Sequence, residues 1–180
     1  MISYKEALTR LSRSKLSIKS ERILSINSLN RICSENVYSR FNYPAADNTA
    51  LDGFAINSNE SNKSSKSNKI KLKVIKMLAA GNNPNIKKIT KFSCIEVMTG
   101  AIIKKPFNTI IPYEESKVIK KNKIKYLLID RKIKKFNNLR FTGSDFKKGQ
   151  LVLKKGEIIK ASDILVLKTL GIKNIKVKKK

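Results

Sequence analysis

Apolar residues open the chain at helical spacing. Tyr4, Ala7, Leu8 and Leu11 lie three and four apart and form one stripe of an amphipathic helix. Ser3-Tyr4-Lys5-Glu6 has the capping-box pattern, in which the hydroxyl and the carboxylate satisfy free backbone N–H groups, so a helix is expected near residues 3–14. After a polar joint, Ile23, Leu24 and Ile26 lead into Leu29, Ile32 and Cys33, which predicts an extended entry and then a short helix ending before Val37. From Phe41 the texture changes to the turn formers Pro44, Asp47, Asn48 and Gly53, followed by a polar run from Asn57 to Asn68 expected to be a loop.

Short apolar runs dominate the middle of the chain: Ile70 to Ile75, Ser93 to Met98, Thr109 to Pro112 and Ile124 to Ile129 are expected strands, separated by Gly, Pro or Asn/Lys clusters. Closely spaced Gly143, Gly149 and Gly156, with Leu151-Val152-Leu153 and Ile158-Ile159, suggest a tight turn and a small hairpin. Ile164, Leu165, Leu167 and Leu170 then mark a helix from Ala161 to Leu170 with Gly171 as a left-handed cap, and Ile172 to Val177 reads as a last strand. Helices towards the ends and strands between them predict an α+β fold, and 180 residues are enough to bury a core without staples.

Composition narrows the chemistry. Histidine is absent and the two cysteines, Cys33 and Cys94, are far apart, which argues against zinc fingers, haem ligation and Ser/His or Cys/His catalysis. An isolated pair of this kind in a Lys-rich chain is expected to be two reduced thiols. Charges at Lys5, Glu6 and Arg10 interrupt any signal-peptide core and no apolar run reaches membrane-spanning length, so a cytoplasmic protein without a membrane partner is expected. The net charge of +27 invites a nucleic-acid reading. Against it, 33 of the 40 basic residues are Lys and only 7 are Arg, and Lys, Asn and Ile are abundant together, as an AT-biased genome would produce on tolerant surfaces. Arg is the better bidentate reader of phosphates and bases, and aromatics for base stacking are scarce at 7% with no Trp. The charge is expected to be a solvated surface, with nucleic acid the less favoured partner.

Two segments carry more specific information. Pro44-Ala45-Ala46-Asp47-Asn48-Thr49-Ala50-Leu51-Asp52-Gly53-Phe54-Ala55 resembles the Pro-x-x-Asp-Asn-Ser-Ala-Met-Asp-Gly-Tyr-Ala signature of molybdopterin molybdenumtransferases, the family that includes a domain of gephyrin. Met98-Thr99-Gly100-Ala101, followed by Phe107-Asn108-Thr109-Ile110-Ile111-Pro112-Tyr113-Glu114, is similar to that family's Met-Thr-Gly-Ala and later Ala-Asp-Ala-Val-Val-x-x-Glu. Weaker matches keep the same order: Leu29-Asn30-Arg31-Ile32 to Leu-Gly-Arg-Val, with Asn able to mimic the Gly conformation, then Ala80-Gly81, Asn138 to Asp145 to Asn-x-Arg-x-x-Gly-x-Asp, and Leu170-Gly171-Ile172 to Leu-Gly-Ile. Departures are the loop Ile102-Ile103-Lys104-Lys105-Pro106, where the family has a Pro-rich turn, and the lack of the Gly-Gly-Val-Ser and Pro-Gly-Asn-Pro segments of the family's pterin-binding α/β domain and of its C-terminal β domain.

The resemblance implies a β-rich subdomain from about 41 to 137, inserted into a mixed subdomain made of 1–40 and 138–180. It implies insertion of molybdate into adenylated molybdopterin with release of AMP, assisted by Mg²⁺, in a homodimer or with a second chain carrying the pterin-binding domain. Asp52 and Thr99 are the residues it points to for catalysis: Asp52 to orient a metal-bound or attacking water and to serve as a metal ligand, and Thr99 to donate its hydroxyl to an anionic oxygen. Arg140 is a candidate for binding an anionic group of the cofactor. The bland reading of Asp52 is a turn aspartate ahead of Gly53, that of Thr99 a strand-end cap, and that of Arg140 a structural contact. A non-catalytic dimerisation scaffold is the alternative function.

Overall fold

The structure, a computed structural model, describes residues 2–14 and 18–179 and divides into two compact units, one made of residues 1–40 with 148–180 and the other of residues 41–147. The elements in chain order are α1 (Tyr4–Arg13), β1 (Ser20–Leu24), β2 (Val37–Tyr38), β3 (Asn48–Thr49), β4 (Gly53–Ile56), β5 (Ile70–Leu78), β6 (Ser93–Val97), β7 (Thr109–Pro112), β8 (Lys117–Lys121), β9 (Ile124–Ile129), β10 (Leu139–Arg140), β11 (Leu151–Leu153), α2 (Ala161–Thr169) and β12 (Asn174–Lys178). The fold is α+β.

In the unit of residues 41–147, six strands form one mixed sheet in the order β7-β4-β6-β5-β9-β8. All neighbours run antiparallel except β5 and β6, which are parallel. All four residues of β4 are buried, because the sheet is covered on both faces there. Phe54 and Ile56 pack with Leu72, Cys94, Leu127 and Ile129, and Ala55 packs with Leu78, Ile95, Val97 and Ile110. A strand covered on both faces shows no alternation of apolar and polar positions. β4 therefore sits inside the turn-rich segment where the sequence pattern announces only turns, and β8, with Lys at three of five positions, is hidden by its own polarity. At the far edge, the Asn138 side chain donates to the Ile110 carbonyl at 3.1 Å and the Ile110 N–H donates to the Asn137 carbonyl at 3.0 Å, so β7 has no bare outer edge.

The other unit joins both ends of the chain. β1 pairs antiparallel with β12 from Ser20↔Lys178 to Leu24↔Asn174, and β2 pairs with β11. α2 ends as expected on Gly171 at φ 63°, whose N–H donates to the Lys168 carbonyl while Ile172 N–H donates to that of Leu167, the Schellman pattern. Cys33, Leu153, Ile159, Leu167, Leu170, Ile172, Ile175 and Val177 are its buried apolar residues among those described. α1 forms where expected, with the Ser3 hydroxyl accepting from Glu6 N–H at 3.2 Å; the Glu6 carboxylate pairs with Arg10 at 2.8 Å.

Three expectations are corrected. No helix follows Leu29: Asn30 adopts φ 60°, Ile32 bridges Ile158, and Cys33 N–H donates to the Glu157 carbonyl at 2.8 Å, so pairing with a distant segment takes the backbone groups a helix would have used. For the same reason β11 belongs to no local hairpin, since its partner is β2 and Ile158 is engaged by Ile32. Residues 138–147 group with the β-rich unit, because β10 pairs with β3 and Tyr43 bridges Phe146.

Candidate functional site

β4 is central to the geometry. Gly53 pairs with Val97 on one side and Pro112 on the other, so the residue just before it, Asp52, lies where the ends of β6 and β7 meet the start of β4. A side chain at Gly53 has no room: a Cβ there would lie 2.1 Å from the Ile111 carbonyl oxygen. The Asp52 carbonyl accepts from Tyr113 N–H at 3.2 Å, and its carboxylate Oδ1 accepts from both the N–H and the hydroxyl of Thr99, at 2.6 and 2.8 Å. These two donors hold the Asp52 carboxyl below the ordinary carboxylate range, with the backbone N–H the larger cause. Both residues are exposed, so an ionised carboxylate faces solvent with one oxygen fixed and Oδ2 without a hydrogen-bond partner among the described residues.

The motif segments fold onto each other. Gly100 N–H donates to the Thr49 carbonyl, Thr49 N–H to that of Ala101, and Ile103 N–H to that of Asp47, at 2.8–3.1 Å, which zips residues 47–49 to 100–103. Gly100, at φ 81°, approaches Ala80: a Cβ on it would lie 3.2 Å from the Ala80 Cβ. Asp47 repeats the Asp52 device, since its Oδ1 accepts from both the N–H and the hydroxyl of Thr142 at 2.8 Å. Arg140 forms an ion pair with Asp145 and lies 5.8 Å from the centre of the Tyr43 ring. Four sequence fragments, 44–55, 80–81, 98–101 and 138–145, are thus joined within one unit. Asp52 and Thr99 touch directly, whereas no hydrogen bond or ion pair among the described residues links Arg140 to either.

One cluster has little signal in the sequence. Glu96 accepts from the Tyr113 hydroxyl and pairs with Lys125 at 2.7 Å, while the Lys125 ammonium lies 5.3 Å from the centre of the Phe54 ring, itself edge-on to Tyr113. Burial would raise the Glu96 carboxyl, but Lys125 and Tyr113 outweigh it and the net shift is downward. Burial, and then the Glu96 carboxylate, push the Tyr113 hydroxyl upward. Tyr113 is the residue whose N–H holds Asp52, so this network braces the site from inside the sheet. The lone signal for it is the position of Tyr113 in the second motif; Glu96 and Lys125 are 29 residues apart and meet through strand order alone.

Among the described residues, no group of three His, Cys, Asp or Glu side chains is placed to hold a metal ion. Both cysteines are free and buried, and burial raises both thiols, that of Cys94 to about 12. No helix among the described residues is long and apolar enough to cross a membrane.

A family model described as the MoeA N-terminal region, domains I and II, matches residues 2–171. The molybdopterin molybdenumtransferase of Staphylococcus aureus strain Mu50 is 31% identical over 176 residues, 98% of this chain and 41% of the relative. That of Staphylococcus epidermidis strain RP62A is 31% identical over 179 residues, 99% of this chain and 42% of the relative. Two crystal structures described as molybdopterin biosynthesis MoeA protein of Pyrococcus horikoshii superpose with TM-scores of 0.86 and 0.85 at 28% and 33% identity, each covering 99% of this chain and 44% or 46% of that protein. The chain therefore spans less than half the length of these relatives.

Proposed function

Because the chain belongs to the family of MoeA N-terminal regions, domains I and II, we propose that it serves molybdenum-cofactor biosynthesis in the cytoplasm as the N-terminal part of a molybdopterin molybdenumtransferase, inserting molybdate into adenylated molybdopterin with release of AMP. The observation that carries this reading is the Asp52–Thr99 pair, in which two motif segments bring a fixed, ionised carboxylate and a hydroxyl to an exposed strand end.

Asp52 is suited to one role beyond bonding Thr99. Its Oδ2 is turned to no donor among the described residues, and a carboxylate oxygen of this kind accepts from a water or binds a hard cation. Mg²⁺ commonly takes one or two carboxylates and completes its shell with water and substrate phosphates, so a lone carboxylate suits it, with Asp52 as its protein ligand. Bound there, Mg²⁺ would neutralise charge on the substrate's anionic oxygens. The Thr99 hydroxyl rotates between Asp52 and an incoming anionic oxygen, and its N–H keeps Asp52 in place while it does so. Arg140 receives an anionic group only by exchanging Asp145 for it. The remaining pterin-binding portion is supplied by a further polypeptide region or a second chain, and the working form is a homodimer.

The test mixes the purified chain, adenylated molybdopterin, molybdate and Mg²⁺ with and without the C-terminal portion of the Staphylococcus aureus relative, and measures AMP. Release is expected only from the mixture, falling about 10²-fold with Asp52→Asn. Release by the chain alone would overturn the need for a second part. A silent mixture, with the full-length relative active in parallel, would leave the chain a scaffold.

A further inference from the structure

This chain uses arginine sparingly, 7 against 33 lysines, and employs most of it in ion pairs. Arg10, Arg31, Arg131 and Arg140 each pair with a carboxylate. Arg22 and Arg40 have no ion-pair or hydrogen-bond partner among the described residues, and both line the same groove of about 310 Å³ in the unit built from the chain ends. On the ladder between β1 and β12, Arg22 stands directly opposite Lys176, both exposed. Like charges directly opposite one another destabilise a sheet, and no acid among the described residues relieves this pair. The groove also carries the half-exposed ring of Tyr38, the amide of Asn174 and, on its floor, Ile175. Glu35 is its one carboxylate and forms no ion pair with either arginine. Two planar guanidinium forks beside an unrelieved ammonium form a receptor for an oxyanion, because Arg matches phosphate oxygens two at a time where Lys offers a point charge. A volume of this size is at the lower limit of small-molecule sites.

We propose that the groove between Arg22 and Arg40 binds the phosphate group of a small phosphomonoester, with Lys176 adding charge and the Tyr38 ring covering the organic part. The site belongs to the unit that holds neither Asp52 nor Thr99, and it stands or falls independently of the reaction assigned to them.

The experiment is an amide NMR titration of the full chain with inorganic phosphate and with phenyl phosphate, at ionic strength held constant with potassium chloride. Saturable shifts confined to the neighbourhoods of Arg22, Tyr38, Arg40 and Asn174 are expected, with phenyl phosphate binding more tightly than phosphate. The charge-conserving double variant Arg22→Lys/Arg40→Lys is expected to weaken binding at least tenfold with its spectrum otherwise unchanged, and Lys117→Gln/Lys120→Gln on β8 to leave it within twofold. Shifts that rise without saturation, or an equal loss in the β8 variant, would mean diffuse charge and overturn the proposal. Competition by a polyglutamate peptide as strong as by phenyl phosphate would assign the groove to an acidic protein segment and overturn it too.

Discussion

At the scale of single residues, Asp52 is set apart from an ordinary surface carboxylate by its two donors on Thr99. Thr99→Val removes the hydroxyl and keeps the N–H, so the Asp52 carboxyl should move upward part of the way to its usual value in a carbon-detected titration, while Thr99→Ser should leave it in place. Glu96 supplies a pH prediction. Its folded-state carboxyl lies below its unfolded value, so the stability it adds is present above the ordinary carboxylate range and lost as pH falls through the folded value. Glu96→Gln should flatten the acid limb of the stability curve and lower stability near neutrality by about 1–3 kcal/mol, since it strips Lys125 of its counter-charge. Urea unfolding at several pH values would show both effects, and an unchanged acid limb would contradict the assignment. Asn30 was legible only through the resemblance, where it stands in place of a Gly: Asn tolerates the left-handed backbone that it adopts here at φ 60°. Glu96 and Lys125 were not readable, because neither belongs to a motif and the strand order that joins them is a property of the whole sheet.

Among the elements, those with strong local periodicity or punctuation were legible and those defined by distant partners were not. α1 and α2 follow from their stripes and caps. The short helix expected after Leu29 gives way to pairing with residues 157–159, and β4 escaped notice because burial on both faces leaves it no alternation. β4 is also the least forgiving element. Gly53→Ala drives a methyl group into the Ile111 carbonyl and should cost roughly 2–3 kcal/mol as β7 is pushed aside, measurable as a lower urea midpoint at unchanged slope. α1 behaves in the opposite way. Its stripe is formed but not packed, with Tyr4, Leu8 and Leu11 at 81%, 49% and 69% exposure, so Leu8→Lys/Leu11→Lys should leave the stability of the isolated chain within about 0.5 kcal/mol.

Taken as a molecule, the chain is one continuous segment inserted, in sequence, between the two parts of a second unit. Residues 41–147 contain their own sheet and two apolar clusters, so expressed alone they should fold cooperatively and keep slowly exchanging amides in β4 and β6. An unfolded segment would show that the chain ends supply what the sheet lacks. The α+β character could be anticipated from strands clustered between terminal helices, whereas the insertion was implied only by the family resemblance and the boundary at 147/148 depends on the pairing of β10 with β3, which has no mark in the local pattern. The ladder between β1 and β12 has a further consequence for a chain that emerges from the ribosome in order. β1 is synthesised well before its partner β12, with all of residues 41–147 between them, so the inserted sheet can be complete while Ser20–Leu24 still waits for its partner strand. At about 5–20 residues per second that interval lasts many seconds, during which the apolar residues of the N-terminal segment must be shielded from other chains by something other than their own fold.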